Sequence, residues 1–261
     1  MLFPDVPRVI YEVNPLEEVI CQLRFLPVLK IDTEPPAGFQ EEIRAEYPLY
    51  ESKSPLRLPA GLPSSLVQMI LPLGGQKLHE FTSQDRTWSV SLGREFLALT
   101  CRAYERWEFF RKRLEGPLEA LRKHYDPPFL TRIGLRYRDV VRRSRLQLAE
   151  MPWSELLQPW ISSVLAMPEA AKHIQGVQTQ FVLNLPEETS RVQVWAGLVH
   201  DGRNNENCFL VDSDFYTEQQ TEPSHVFDRL NAFNHYARRF FRWCITDRLH
   251  EAMRPHPVSS L

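Results

Sequence analysis

The sequence predicts an α+β fold in which two similar halves, residues 1–126 and 127–261, form one curved antiparallel sheet with long helices on one face. First, each half reads as an opening strand, a short helix, three or four closely spaced strand segments and a long helix. Second, such closely spaced strands are most simply joined as antiparallel hairpins. Third, the opening strands align, with CQLRF (21–25) against IGLRY (133–137). Saddle and helix-grip folds share this order of elements, and the order alone carries no function.

The first half opens with a strand, because Val19, Cys21, Leu23 and Phe25 share one face and the other face carries Glu18, Ile20, Gln22 and Arg24. A short helix follows, and Pro48 ends it. The elements expected in this half are strands at 17–25, 65–73, 77–85, 87–93 and 95–104, and helices at 38–48 and 105–125. We expect Gly116 and Pro117 to kink or break the second helix.

The second half repeats this plan. Its expected strands are 129–141, 176–185, 190–200 and 207–219, with a turn at 201–205 and helices at 152–166 and 224–253. Ser224 is a suitable N-cap for the last helix, whose apolar residues follow the helical period to Met253. Thirty helical residues would span roughly 45 Å, which is enough to cross a sheet.

The composition is that of an ordinary globular protein, with 261 residues, 43% hydrophobic residues and a net charge of −2. This charge gives no overall attraction to nucleic acid or to anionic lipid. The cysteines are far apart and lie among apolar neighbours, so we expect free buried thiols in a reducing cytoplasm. No signal peptide, membrane span, cofactor motif or phosphate-binding loop is recognised.

Several stretches distributed over nearly the whole chain resemble a bacterial and archaeal family of sporadic occurrence and about this length. They are PLEEVICQLRF (15–25), GFQEEIRAEYP (38–48), RIGLRYRDVV (132–141), FLVDSDFY (209–216) and CITDRLHEAM (244–253). The family is similar to accessory proteins of mobile, defence-associated or CRISPR-type loci, and it has no settled function. The resemblance therefore implies a setting and one homologous unit, and it implies no catalytic residues.

The strongest candidate site is an acidic pair in CFLVDSDFYTEQ (208–219). Asp212 and Asp214 point to the same side of a strand. They could hold Mg²⁺ or Mn²⁺ if a further acid such as Asp139, Glu206, Glu218 or Asp247 lay nearby. The interpretation that half-exposed antiparallel strands favour is that they are polar residues on a solvated or partner-facing sheet surface, where they could pair with arginine.

A basic stripe offers the cations for such pairs. Arg132, Arg136 and Arg138 share one strand face, and they could contact either nucleic-acid phosphates or the two aspartates. The net charge favours the aspartates or a protein partner. Histidines are scattered, and no nucleophile motif is present.

Arginine and aromatic residues are the usual composition of interface hot spots. We therefore expect a non-enzymatic accessory protein that binds a protein partner on its open sheet face. The alternative is a metal-dependent phosphodiester enzyme or a nucleic-acid-binding protein. The residues expected at the site are Arg24, Arg132, Arg136, Arg138, Trp195, Asp212, Asp214 and Tyr216.

Overall fold

A computed structural model of the protein describes residues 3–53, 77–171, 173–186 and 189–258, and it shows an α+β fold. The strands are β1 (Val9–Tyr11), β2 (Leu16–Phe25), β3 (Leu49–Lys53), β4 (Leu78–Thr82), β5 (Trp88–Gly93), β6 (Phe96–Cys101), β7 (Leu130–Val141), β8 (Gln178–Asn184), β9 (Ser190–Asp201), β10 (Glu206–Thr217) and β11 (Pro255–Pro257). The helices are α1 (Lys30–Thr33), α2 (Ala37–Ile43), α3 (Trp107–Tyr125), α4 (Trp153–Leu156), α5 (Pro159–Ser162), α6 (Pro168–Ala171), α7 (Val226–Cys244) and α8 (Asp247–Ala252). Short 3₁₀ turns lie at Ser144–Leu146, Ser163–Ala166 and Pro223–His225.

Nine strands form one antiparallel sheet in the order β3-β4-β5-β6-β2-β7-β10-β9-β8, and β1 pairs with β11 in a second, two-stranded sheet. The opening strands β2 and β7 are neighbours at the centre, where Cys21 pairs with Leu135. Each is flanked by the hairpin strands that follow it in sequence. The internal duplication and the division at residue 126 stay predictions.

The sheet has a helix face and an outer face. The helix face carries alternate apolar residues of each strand, such as Cys21, Leu135 and Phe215, all fully buried. These residues pack in one cluster with α3 and α7, whose Phe110 and Phe240 are also fully buried. The outer face carries the other residues of each strand. The two faces follow the alternation that the sequence predicts.

Helix α3 is continuous through Pro117, so the prediction that it breaks at Gly116–Pro117 is wrong. Proline lacks the N–H that would bond to the carbonyl four residues earlier, at Arg113. The hydroxyl of Tyr47 donates to that carbonyl oxygen instead, at 3.3 Å. Tyr47 is almost fully buried and Pro117 is buried, so packing holds the helix together at this point.

The other two long helices of the sequence prediction are interrupted. The last one ends at Cys244, because Ile245 is extended and bridges to Leu157. Thr246 then caps α8, and its side chain accepts a hydrogen bond from the N–H of Leu249. At the start of α7, Ser224 lies in the 3₁₀ turn Pro223–His225, so it is not the N-cap of that helix. The stretch 152–166 likewise divides into α4, α5 and a 3₁₀ turn. The predicted strand at 65–73 lies outside the described residues.

All four cysteines are buried free thiols, as the sequence predicts. Across the described ranges, no helix is both long and apolar enough to cross a bilayer.

Candidate functional site on the outer sheet face

The predicted charged residues meet on the outer face, where β7 lies between β2 and β10. The register places Asp212 opposite Arg138 and Asp214 opposite Arg136. Because side chains alternate in a strand, these four lie on one surface. The pairing of aspartate with arginine that the sequence suggests is confirmed, and each aspartate is hydrogen-bonded to the arginine of this face that precedes, along β7, the one directly opposite it.

Arg136 and Asp212 form the centre of this surface. Nε of Arg136 donates to Oδ1 of Asp212 at 2.6 Å, and Nη2 donates to Oδ2 at 2.5 Å. The two side chains are only 4% and 5% exposed. Burial lowers the pKa of the Arg136 guanidinium, but hydrogen bonding and the charge of Asp212 outweigh it, so the net shift is upward. A bidentate contact of this kind holds both side chains in one geometry.

Arg132 and Asp214 form a second pair, at 2.6 Å between Nη2 and Oδ2. The Arg132 guanidinium also lies 4.8 Å from the centre of the Tyr216 ring and donates to Gln22 at 3.2 Å. An added Cβ at Gly134 would lie 2.3 Å from Nη1 of Arg132. Because Gly134 has no side chain, the Arg132 side chain can lie across the outer face of β7 at this position.

The remaining two predicted arginines flank these pairs. Nε of Arg138 lies 3.7 Å from Oδ2 of Asp212, and its Nη1 lies 3.5 Å from Oε2 of Glu18, so this arginine bridges two acids. Arg24 is opposite Arg132 in the register and is half-buried. Within the described ranges, Arg24 has no carboxylate in ion-pair range. The surface thus carries a cation that its own acids do not neutralise.

A row of side chains leads from the buried pair to the edge of the sheet. Trp195 lies opposite Asp212 on one side and opposite Gln180 on the other. It packs on a small outer-face cluster that contains Cys208 and Leu210. In the next row, Gln193 lies opposite Asp214 and Val182. The predicted site is therefore continuous with β8.

Strand β8 is an edge strand with free backbone groups. It pairs with β9 on one side, and the part of the chain that the structure describes places no strand on its other side. The N–H of Leu185 bonds to Ser190, and the N–H of Leu198 bonds to Val177. Antiparallel bonding alternates, so the odd-numbered residues of β8 bond to β9 and the even-numbered ones point outward. The outward residues are Gln178, Gln180, Val182 and Asn184.

The same even-numbered residues expose their side chains on the outer face, where Val182 is 52% exposed. Odd-numbered residues turn to the helix face, where Phe181 packs edge-on to Trp160 at 6.0 Å. An added Cβ at Gly197 would lie 2.1 Å from the carbonyl oxygen of Val177, so only glycine lets β8 begin this close to β9. The sequence predicts this strand but not its edge position.

Of the four additional acids of the metal hypothesis, Glu218 lines a surface pocket with Arg24 and Arg132 and lies 4.0 Å from Arg191. The other three lie away from the aspartate pair. Asp139 is opposite Val211 in the register and points to the helix face, away from Asp212. Glu206 accepts from the backbone and hydroxyl of Ser144, and Asp247 pairs with Arg242. Among the described residues, no group of three or more His, Cys, Asp or Glu side chains is placed to hold a metal ion.

No protein-family model matches the chain, and a search of curated proteins finds no significant match.

Proposed function

We propose that the protein is a non-enzymatic accessory protein whose outer face and β8 edge bind an extended segment of a protein partner. The segment would add a strand to the sheet at β8, so that its backbone bonds to the outward groups of the even-numbered residues. Its side chains would rest on the row that runs through Trp195 towards the charged pairs.

The observation that supports this most is the chemistry of the edge. The sequence of β8, QTQFVLN, contains no charged residue and no proline. Natural edge strands usually carry lysine, proline or a bulge, which prevent pairing with other chains. At the other end of the sheet that the described residues form, β3 follows that rule with Glu51 and Lys53. An edge left without such protection is suited to a partner.

The ion pairs support a binding surface more than a metal centre. Both carboxylate oxygens of Asp212 are hydrogen-bonded to Arg136, so a cation would have to displace a buried guanidinium. Such a displacement would break a buried ion pair on one side, which is costly inside a protein. The half-buried Arg24 and Tyr216 at the margin of the face remain within reach of a partner.

The proposed setting is a prokaryotic defence system of the CRISPR or mobile-element type, and the family resemblance supports it. We place the protein in the cytoplasm, and the buried free thiols support that placement.

Site-specific photocrosslinking in the native host tests the proposal. A benzophenone amino acid at Val182 should capture a protein partner, whereas the same group at Glu119, exposed on α3, should capture none. Val182→Lys should abolish capture from a second probe at Asn184, because it places a charge in the path of an added strand.

Equal capture at residues 182 and 119 would refute the edge as the binding site. A crosslink between two copies of this chain would identify the partner as a second copy and would replace the proposal of a different protein.

A further inference from the structure

A cavity of about 320 Å³ lies on the helix face, away from the outer-face site. The N-terminal segment 6–16, the turn before α3, strand β7 and helices α7 and α8 surround it. Its volume falls within the range of small-molecule pockets, which are mostly apolar and contain a few polar groups. Five aromatic side chains contribute to the wall, and they are Tyr11, Tyr104, Trp107, Tyr137 and Phe241.

Asp139 is the acid of this cavity. It is 7% exposed, and it finds no hydrogen-bond or ion-pair partner among the residues that the structure describes. Burial raises the pKa of its carboxyl group to about 8, and the Asp212 carboxylate beyond the sheet adds to the shift. At neutral pH the group is therefore mostly a neutral acid, with one O–H to donate. The carboxyl oxygens are not among the sealed polar atoms, so solvent reaches them from the cavity, and an acceptor on a ligand can replace that solvent.

The other polar groups around Asp139 already have partners. The hydroxyl of Tyr11 lies 2.8 Å from Nδ1 of His250, and that of Tyr137 donates to Asn234 at 3.0 Å. Within the described residues, neither hydroxyl is hydrogen-bonded to Asp139. The Asp139 carboxyl group is therefore open to an incoming molecule in the cavity.

Four arginines line the same cavity, and three of them have carboxylate partners. Arg8 and Arg106 contact Glu108, and Arg242 contacts Asp247. The fourth, Arg238, makes contacts of a different kind.

Arg238 donates to the carbonyl oxygen of Val6 at 3.2 Å and lies 2.9 Å from Nδ1 of His235. In the described ranges it has no carboxylate within ion-pair distance. Burial lowers the pKa of Arg238, and the charges of Arg8 and Arg239 lower it further. An anion bound beside Arg238 would offset this repulsion.

We propose that this cavity binds a flat organic anion whose negative group pairs with Arg238 and whose body packs on the aromatic wall. A hydrogen-bond acceptor elsewhere on the ligand accepts a hydrogen bond from the Asp139 carboxyl O–H. A guanidinium is well suited to carboxylate or phosphate, and aromatic rings favour a flat body. Neither β8 nor the outer face takes part.

Two probes of one shape test the acceptor. Quinoline-6-carboxylate and 2-naphthoate differ only in the ring nitrogen, which can accept a hydrogen bond. By calorimetry at pH 7, quinoline-6-carboxylate should bind the wild-type protein about 10-fold more tightly, the usual effect of one satisfied buried donor. Asp139→Leu should remove the difference between the probes, and Asp139→Asn, whose amide still donates, should keep it.

Arg238→Gln should weaken both probes by about 10-fold, as expected for a lost charge-assisted contact. Arg229→Gln on the same helix, outside the cavity, should leave both unchanged. Equal affinity of the wild-type protein for the two probes, or a preference that survives Asp139→Leu, would overturn the role of Asp139. Absence of binding by either probe at millimolar concentration would overturn the proposed ligand class.

Discussion

The substitution Asp212→Asn should destabilise the protein strongly, because it breaks a buried ion pair on one side only. The side chains of Arg136 and Asp212 are 4% and 5% exposed and share two hydrogen bonds. Removal of the Asp212 charge breaks a buried ion pair on one side, which costs about 3–5 kcal/mol. For a protein of this size, each kcal/mol lowers Tm by about 2–4 °C, so we expect a fall of roughly 10 °C.

Urea unfolding followed by circular dichroism measures this change, and two other aspartates serve as matched controls. Asp214→Asn should cost less, because its pair with Arg132 is 13% and 16% exposed. Asp247→Asn should have no measurable effect, because that carboxylate is 82% exposed and solvent screens its pair. The reasoning is refuted if the variants at 212 and 247 have the same free energy of unfolding.

Three further predictions follow from individual contacts. Tyr47→Phe should lower the free energy of unfolding by about 1 kcal/mol, because it removes the hydrogen bond to the carbonyl oxygen of Arg113. In a Pro117→Ala background the loss should be smaller, because the backbone N–H of residue 117 can bond to that oxygen instead. A double-mutant cycle measures the difference. Thr246→Ala should cost about 1 kcal/mol in urea unfolding, because it removes the cap of α8. The Asp139 pKa, raised from 3.8 to about 8, means that the folded protein binds one more proton between these values, so stability falls as pH rises. Relative to wild type, Asp139→Asn should gain up to about 1.4 kcal/mol per pH unit from pH 5 to 8 in urea unfolding, and a constant difference would contradict the raised pKa.

The faces of the central strands could be predicted from the sequence because side chains alternate strictly. That rule places Asp212 and Asp214 together, and it places the arginines of β7 on one surface. Which arginine meets which aspartate depends on the register between β7 and β10, which no local pattern encodes. The ends of the helices also could not be predicted, because tertiary contacts set them. Ile245 has an apolar side chain that fits the helical period, but its backbone bridges to Leu157 and ends the helix.

The edge position of β8 could not be predicted, because strand order in a sheet is set by pairing between distant segments. One signal was available in the composition of QTQFVLN, which lacks charge. A second signal concerned Asp139, since the alternation that buries Leu135 and Tyr137 also puts this acid on the helix face. An acid at a core position indicates either a partner or a site.

The most direct test of the account is amide hydrogen exchange along β8, measured by NMR on the free protein and on its complex with the partner that photocrosslinking identifies. In the free protein, the amides of Thr179, Phe181 and Leu183 should be protected, and those of Gln180 and Val182 should exchange rapidly, because they point away from β9. With the partner bound, Gln180 and Val182 should become protected as well. If they stay rapid in the complex, the partner does not pair with this edge, and the central claim is wrong.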